Sequence, residues 1–332
     1  MIHNINDYCT LRDGRRIYKH MKLDNKRHSF VCSHGIGDIV WMCSFMQAYL
    51  KKSEIKNDIE LICCKRDERL IQSYLPFVKI RTLSTEDLYK LGRFVSAVGN
   101  DKVRALIYPR LCSGRVMLNN IQILAELGIE MDICYKYGCF DLGDTDNFQF
   151  PCLDQYQKEA DQVILDKNLR TGKTIVLVPY VHSRLELDRS DWSKIAEGLI
   201  EKGYDVYTNV GSEKAEVISG TRALYIPLEL LPLVVKKTGY VISARCGLGD
   251  WLFVNGCNMS VIHTFYLKKF PHGSNEQIQS SFGCKESFQN MKIRCGLTEG
   301  ILQEYRIAVD MVKENNLDQI VSDADTAARR IF

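Results

Sequence analysis

The sequence lacks several features that would assign it to other classes of protein. Its apolar runs, such as Leu230 to Val235, are far shorter than the ~20 residues that span a bilayer. Its 44 basic and 41 acidic residues nearly cancel, which argues against nucleic acid as the main partner. The polar start, MIHNINDYCTLRDGRR, contains no apolar signal-peptide segment. We therefore expect a cytoplasmic protein with ordinary buried cores.

Metal-binding and disulfide patterns are missing as well. The 13 cysteines are odd in number and form no CxxC pair, and the 7 histidines show no HxxxH spacing. Neither a zinc site nor a disulfide framework is therefore indicated. Many of the cysteines lie in or beside apolar runs, and we interpret most of them as small buried hydrophobic residues.

Short apolar runs alternate with helical patterns in both halves of the chain, which predicts parallel sheets covered on both faces. The expected strands are His28 to Ser33, Ile59 to Cys64, Val78 to Leu83, Val103 to Tyr108, Thr174 to Tyr180, Tyr204 to Val210, Leu224 to Ile226, Tyr240 to Ala244 and Met259 to Thr264. The expected helices are Asp38 to Lys51, Glu68 to Leu75, Thr85 to Val98, Met117 to Leu127, Ser190 to Lys202 with Ser190 as N-cap, Glu229 to Lys237, and a closing helix near Leu302 to Glu314.

Residues Gly138 to Gly172 interrupt the alternation with the stretch GDTDNFQFP and a polar helix. We interpret this part as the connection between two domains, residues 1–150 and residues 151–332. The predicted fold class is α/β, with two doubly wound Rossmann-like domains that face each other across a cleft.

A Gly-x-Gly-Asp pattern follows an apolar run once in each half, at Gly35 to Asp38 and at Gly247 to Asp250. Glycine permits positive φ and close approach of the backbone, and the N–H groups at a helix start favour an anion. The spacing is not the GxGxxG of a dinucleotide site, and Glu60 begins its strand rather than ending it. The alternative interpretation is a tight turn whose Asp caps the helix.

The first turn carries a resemblance to a known family. The segment SHGIGDIVWMCSFMQAYLK resembles the amino-terminal signature of the lipopolysaccharide heptosyltransferases, and more broadly of glycosyltransferases with the GT-B fold. In that family the residue that matches Asp38 is the catalytic base. Residues Thr174 to Glu213 are similar to the family's strand, basic loop, Trp-bearing helix, second strand and Gly-x-Glu turn.

The resemblance implies a nucleotide-sugar donor in residues 151–332 and a saccharide or lipid-linked acceptor beside residues 1–150. It also implies a role in surface polysaccharide or lipopolysaccharide assembly. Three positions depart from the family pattern. Arg245 occupies the position of the family's Asp, Asp250 that of its His, and Leu185 that of its Lys. Heptose specificity is therefore not implied, and another sugar nucleotide in the same architecture is expected.

The chemistry of a sugar nucleotide suggests which residues bind it. Arginines neutralise a diphosphate, helix N–H groups bind its oxygens, and Glu213 is placed to accept the ribose hydroxyls. Helix-end charge complementarity is the alternative for Glu213, and an interdomain salt bridge is the alternative for Arg245. The expected donor-binding residues are Gly35, Gly37, Tyr180, His182, Arg184, Arg189, Gly211, Glu213, Arg245, Gly247, Leu248, Gly249 and Asp250.

No cofactor or metal is expected. A DTD sequence exists at Asp144 and Asp146, but it lies in the presumed connection rather than near the late strand. Inversion with Asp38 as base is the favoured course, and a retaining course would need no such base. Other functions remain open: a sugar-nucleotide epimerase or hydrolase, or a silent binding scaffold. Phe265 to Phe270 is either a solvated loop or a peripheral contact with an anionic membrane surface.

Overall fold

The computed structural model describes residues 5–23, 28–33, 35–55, 59–98, 103–105, 130–181, 186–211, 216–264, 266–268, 278–280, 287–307 and 312–331. The chain divides into two compact units, Met1–Cys152 and Leu153–Phe332. The described strands of each main sheet pair in parallel. This arrangement confirms the predicted α/β class.

Unit 1, Met1–Cys152, contains a four-stranded sheet in the order β3-β2-β1-β4. Its strands are β1 (His28–Val31), β2 (Ile59–Cys64), β3 (Lys79–Leu83) and β4 (Val103–Ala105). Its longer helices are α1 (Ile5–His20), α2 (Ile36–Lys52), α3 (Glu68–Tyr74) and α4 (Thr85–Val98). In this order β1 and β4 meet at the switch point, where ligands bind in doubly wound folds. The predicted helix over residues 117–127 lies outside the described residues.

The acidic residue of the second strand is bound inside unit 1. Glu60 is fully buried, and Arg81 donates from Nε and Nη2 to its two carboxylate oxygens at 2.6 Å. A paired, buried carboxylate of this kind is not presented to the ribose of a dinucleotide. The geometry therefore agrees with the sequence argument against a dinucleotide site at the first turn.

Two elements of unit 1 were not predicted. Helix α1 packs on α4 so closely at Gly14 that a Cβ there would lie 2.2 Å from the carbonyl oxygen of Lys90. The second element, residues 130–142, contains a short helical turn (Met131–Ile133) and a π-helix (Cys134–Cys139). We call residues 130–142 the α2 strap, because contacts along α2 hold it in place.

Unit 2, Leu153–Phe332, contains a six-stranded sheet in the order β12-β9-β8-β5-β6-β7. Its strands are β5 (Thr174–Val178), β6 (Asp205–Asn209), β7 (Arg222–Leu224), β8 (Gly239–Ala244), β9 (Met259–His263) and β12 (Leu302–Arg306), with a separate pair β10 (Tyr266–Lys268) and β11 (Ile278–Ser280). Its longer helices are α5 (Gln157–Asp166), α6 (Arg189–Glu201), α7 (Leu231–Thr238), α8 (Gly247–Val254), α9 (Phe288–Arg294) and α10 (Glu314–Ile331). Counted within the unit, the main sheet has the complete doubly wound order, in which the first and fourth strands are neighbours.

The predicted closing helix near residues 302–314 is wrong. Leu302–Arg306 is strand β12, parallel to β9, and the closing helix is Glu314–Ile331. Polar partners on β8 and on α10 hold β12: Gln303 accepts a hydrogen bond from Tyr240, and Tyr305 donates to Asp323 at 2.8 Å. Tertiary hydrogen bonds therefore outweigh the local helical pattern.

The predicted N-cap of α6 is also wrong. The helix begins at Arg189, and Asp188 rather than Ser190 is its N-cap. The carbonyl oxygen of Asp188 accepts from the N–H groups of Asp191 at 3.0 Å and Trp192 at 3.1 Å. The helix starts earlier than expected because these bonds already form its first turn.

The described cysteines are free thiols, and most of them are buried. Burial, followed by repulsion from Asp67, raises the pKa of Cys63 to about 12. Such thiols remain protonated at neutral pH and behave as small hydrophobic side chains. Within the part of the chain that the structure describes, no helix has both the length and the apolar content needed to cross a bilayer.

Candidate functional site

The first Gly-x-Gly-Asp turn lies at the carboxyl end of β1, beside the switch point of unit 1. Gly35 is the N-cap of α2 with φ −70 and ψ 167, so it does not adopt the positive φ that we expected. Gly37 and Asp38 belong to the first turn of the helix, and the Asp38 side chain is partly exposed. A helix N-terminus stabilises a carboxylate at this position. His34, just before the turn, lies outside the described residues.

A tyrosine from a distant segment contacts the Asp38 carboxylate. The Tyr135 hydroxyl donates to Asp38 Oδ1 at 2.5 Å, although the two residues are 97 positions apart in the chain. Tyr135 belongs to the α2 strap and is 1% exposed. The carboxylate is therefore accessible and also oriented by a buried donor, two properties that suit proton transfer.

The second Gly-x-Gly-Asp turn is not the topological equivalent of the first. It follows β8, the fourth strand of its unit, whereas the first turn follows β1. Its helix begins at Gly247, and the N-cap is Cys246 with φ −150 and ψ 171. The true counterpart of the first turn is the loop between β5 and α6.

The charged residues of the second turn bind each other. Arg245 Nη1 donates to Asp250 Oδ2 at 2.8 Å, and the two side chains are only 6% and 4% exposed. The Arg245 guanidinium also lies 4.9 Å from the centre of the Phe288 ring. Two of the three positions that depart from the family pattern, Arg245 and Asp250, thus form one buried ion pair. This pair lies within unit 2. The alternative of an interdomain salt bridge for Arg245 stays a prediction.

Packing rather than dihedral angle explains the glycine at position 249. A Cβ there would lie 2.9 Å from Ser243 Oγ, which in turn donates to the carbonyl oxygen of Ala244 at 2.7 Å. The first turn of α8 thus lies directly against the end of β8. Gly247 and Leu248 precede it as the first two residues of the helix.

The segments after β5 and β6 contain the other predicted donor residues. Tyr180 donates from its hydroxyl to the carbonyl oxygen of Glu216, and Arg189 forms an ion pair with the Glu216 carboxylate. Gly211 ends the neighbouring strand region, and a Cβ added there would meet nothing within 4 Å. His182, Arg184 and Glu213 lie outside the described residues.

The residues that follow β5 and those that follow β8 lie at the ends of neighbouring strands. Strands β5 and β8 pair in parallel with Val178 opposite Ser243, so Tyr180 and Arg245 both follow the same edge of the sheet. This edge is the switch point of unit 2. Among the described side chains, no group of three or more His, Cys, Asp or Glu residues is placed to hold a metal ion.

The sequence analysis missed a polar network at the end of β9. Glu304 accepts hydrogen bonds from the N–H groups of Phe288 at 2.9 Å and Gln289 at 3.2 Å, and its Oε1 lies 3.1 Å from His263 Nε2. Burial acts to raise the pKa of Glu304, but the hydrogen bonds from His263 and Phe288 outweigh it, and the pKa is lowered. These residues are far apart in the chain, and no local pattern marked them.

Comparison with known proteins supports the fold. The solved structure of E. coli ADP-heptose lps heptosyltransferase II is similar with a TM-score of 0.57 at 10% identity, over 92% of this chain and 99% of that one. A glycosyl transferase family 9 structure from Veillonella parvula gives a TM-score of 0.46 at 12% identity, over 93% and 99%, and nothing further rests on it. No protein-family model and no curated protein matches the chain. The resemblance to heptosyltransferases is therefore confirmed at the level of a GT-B fold.

Proposed function

We propose that this chain is a glycosyltransferase that moves a sugar from a nucleotide-sugar donor to a saccharide or lipid-linked acceptor. The observation that carries the proposal is the Asp38 carboxylate, which is partly exposed at the switch point of unit 1 and held by Tyr135. General-base removal of a hydroxyl proton needs an accessible, oriented carboxylate of this kind. We place this activity in surface glycan assembly, in the cytoplasm or at the inner face of the membrane, as the family resemblance in the sequence implies.

Unit 2 is the proposed donor side, and unit 1 the acceptor side. The N–H groups at the start of α8, near Gly247 and Leu248, would bind the donor diphosphate. Arg189 is 60% exposed at the first residue of α6 and would add positive charge there. The direct contact that we expected between Arg245 and the diphosphate stays a prediction. Its pairing with Asp250 favours an indirect role, in which it holds the turn in shape.

The proposed reaction proceeds with inversion. The acceptor oxygen attacks the anomeric carbon while Asp38 takes the hydroxyl proton. The bond between that carbon and the diphosphate oxygen breaks, and its electron pair leaves with the diphosphate. Fixed cations and helix N-termini then stabilise the negative charge of the leaving group, so we propose that no divalent metal is needed.

A donor screen followed by one substitution tests the proposal. Nucleoside diphosphates that bind the folded chain should raise its melting temperature, which identifies the base of the donor. With the matching sugar nucleotides, Asp38→Asn should reduce transfer by ~10²-fold or more, because Asn cannot take the proton. Donor binding and melting temperature should persist, because Asn can still accept the Tyr135 hydrogen bond.

Other results would point to the alternatives. Near-normal transfer by Asp38→Asn would remove the role as base. Donor isomerisation or hydrolysis without transfer would indicate an epimerase or hydrolase, and binding without turnover would indicate a scaffold. If EDTA abolishes transfer and magnesium restores it, Asp144 and Asp146 become the candidate metal ligands.

A further inference from the structure

The α2 strap contacts α2 near both ends of that helix. Tyr135 reaches Asp38 in the first turn, the Phe140 ring lies 5.2 Å from the Tyr49 ring, and Asp141 Oδ2 lies 3.5 Å from Lys52 Nζ in the last turn. Contacts in the first turn and in the last turn of one helix leave the strap little freedom to slide. The position of Tyr135 is therefore set by the strap as a whole.

The π-helical geometry fixes the tyrosine locally. The carbonyl oxygen of Tyr135 accepts from the N–H of Phe140 at 3.1 Å, a bond between residues five apart. Such wide turns are rare and occur often at functional sites. A buried tyrosine hydroxyl normally needs a hydrogen-bond partner, and here that partner is a carboxylate.

The two oxygens of Asp38 have different surroundings. Oδ1 accepts from the buried Tyr135, whereas Oδ2 lies toward Gly35, where an added Cβ would be 3.7 Å away. Gly35 is exposed, whereas Tyr135 is buried, so Oδ2 lies on the more exposed side of the carboxylate. Among the described residues, the Tyr135 hydroxyl is the one side-chain donor that we find on Asp38.

We propose that Tyr135 is a positioning residue of the transfer reaction: it holds Asp38 Oδ1 so that Oδ2 is directed at the acceptor hydroxyl. The inference rests on the proposed function of Asp38 as base. Without the hydroxyl, the carboxylate can rotate about χ2, and its productive orientation is no longer enforced. Misplacement of a reacting group by about 1 Å can cost ~10²-fold in rate.

The kinetic test compares Tyr135→Phe, Asp38→Asn and the double variant, with the best donor from the screen. Tyr135→Phe should lower kcat by roughly 10- to 100-fold and leave the KM of the donor unchanged. In the double variant the loss should be no greater than in Asp38→Asn, because both changes act on one group. Tyr137→Phe is the matched control, since it removes an exposed hydroxyl of the same π-helix that bonds to Asp144, and it should leave kcat unchanged.

A spectroscopic test needs no activity. 3-Fluorotyrosine at position 135 keeps the shape of the residue, and its ¹⁹F resonance should shift when Asp38→Asn is introduced. An unmoved resonance, or kcat losses that multiply in the double variant, would overturn the inference. Normal kcat in Tyr135→Phe beside a slow Asp38→Asn would also overturn it and leave the proposed function standing. Normal kcat in Asp38→Asn would remove both.

Discussion

The two Gly-x-Gly-Asp turns share a pattern and differ in what surrounds their acidic residue. Asp38 is partly exposed and accepts a hydrogen bond from a neutral tyrosine. Asp250 has a side chain only 4% exposed and forms an ion pair with Arg245. The first environment leaves a carboxylate accessible to a substrate, whereas the second encloses it. The pattern alone therefore does not identify a catalytic residue.

The position of the acidic residue within its helix contributes to the different surroundings of Asp38 and Asp250. Asp38 is the third residue of α2, whereas Asp250 is the fourth residue of α8. One residue corresponds to a rotation of about 100° around a helix axis. The carboxylates of the two Gly-x-Gly-Asp patterns therefore point in different directions relative to the start of their helices.

The largest expected effect is a loss of folding stability when the ion pair of the second turn is broken. Arg245→Ala should lower the free energy of unfolding by about 3–5 kcal/mol, because it leaves the buried Asp250 carboxylate without its cation. Chemical denaturation monitored by tryptophan fluorescence measures the loss. Wild-type stability in this variant would show that the pair is not structural.

A double replacement serves as its control. Arg245→Met with Asp250→Leu removes both charges from the buried site, and such replacements are often neutral or stabilising. The double variant should therefore recover most of the stability. Failure to recover it would mean that the turn depends on the ion pair for more than charge balance.

A smaller effect should separate the glycines of the two turns. Gly249→Ala should cost about 1–2 kcal/mol, because its Cβ would lie 2.9 Å from Ser243 Oγ in a packed core. At Gly35 the closest atom to an added Cβ, Asp38 Oδ2, is 3.7 Å away, and Gly35→Ala should cost about 0.5 kcal/mol, because Ala is a poorer N-cap than Gly. Thermal unfolding of both variants makes the comparison, and equal losses would contradict it.

The smallest expected effect is a difference in acid sensitivity between the units. In unit 2, the pKa of Glu304 is lowered, so the ionised carboxylate stabilises the fold. This contribution is fully present at pH values above the ordinary pKa of about 4.3, and it disappears as the pH falls through the lowered pKa. In unit 1, burial raises the pKa of Asp67, so its protonation on acidification favours the fold.

Amide exchange as a function of pH can test whether unit 2 is more sensitive to acid than unit 1. Below about pH 4, peptides of β9 and β12 should lose protection before those of β2 and α3. Glu304→Gln is the control, because it removes the titrating group and should weaken the pH dependence of unit 2. Simultaneous loss of protection in both units would contradict the expectation.

Much of the fold followed from local patterns. The bounds of β2 and α4 were predicted to the residue, because an apolar strand and an amphipathic helix carry their own signals. Helix α1 was not predicted because the start of the chain is polar. Its position is fixed by packing of Gly14 against α4. Likewise, β12 was mistaken for a helix because its polar residues are held by partners on other strands and on α10.

The candidate site was less predictable for a similar reason. Glycine turns and Asp38 are visible in the sequence, but the contact with Tyr135 joins segments far apart in the chain. The pairing of Arg245 with Asp250 has a five-residue spacing, yet its burial depends on Phe288 and on the end of β8. Composition and spacing therefore suggested the residues, and tertiary packing determined their environments.

The edges of the main sheet of unit 2, as far as the structure describes it, carry charged side chains. Its two edge strands, β7 and β12, carry Arg222 and Arg306 with exposed side chains, whereas every residue of the adjacent β9 is buried. Unpaired edges invite pairing with other chains, and charged side chains at an edge oppose it. We therefore expect the polar character of β12, which obscured it in the sequence, to oppose pairing of this edge with a second molecule.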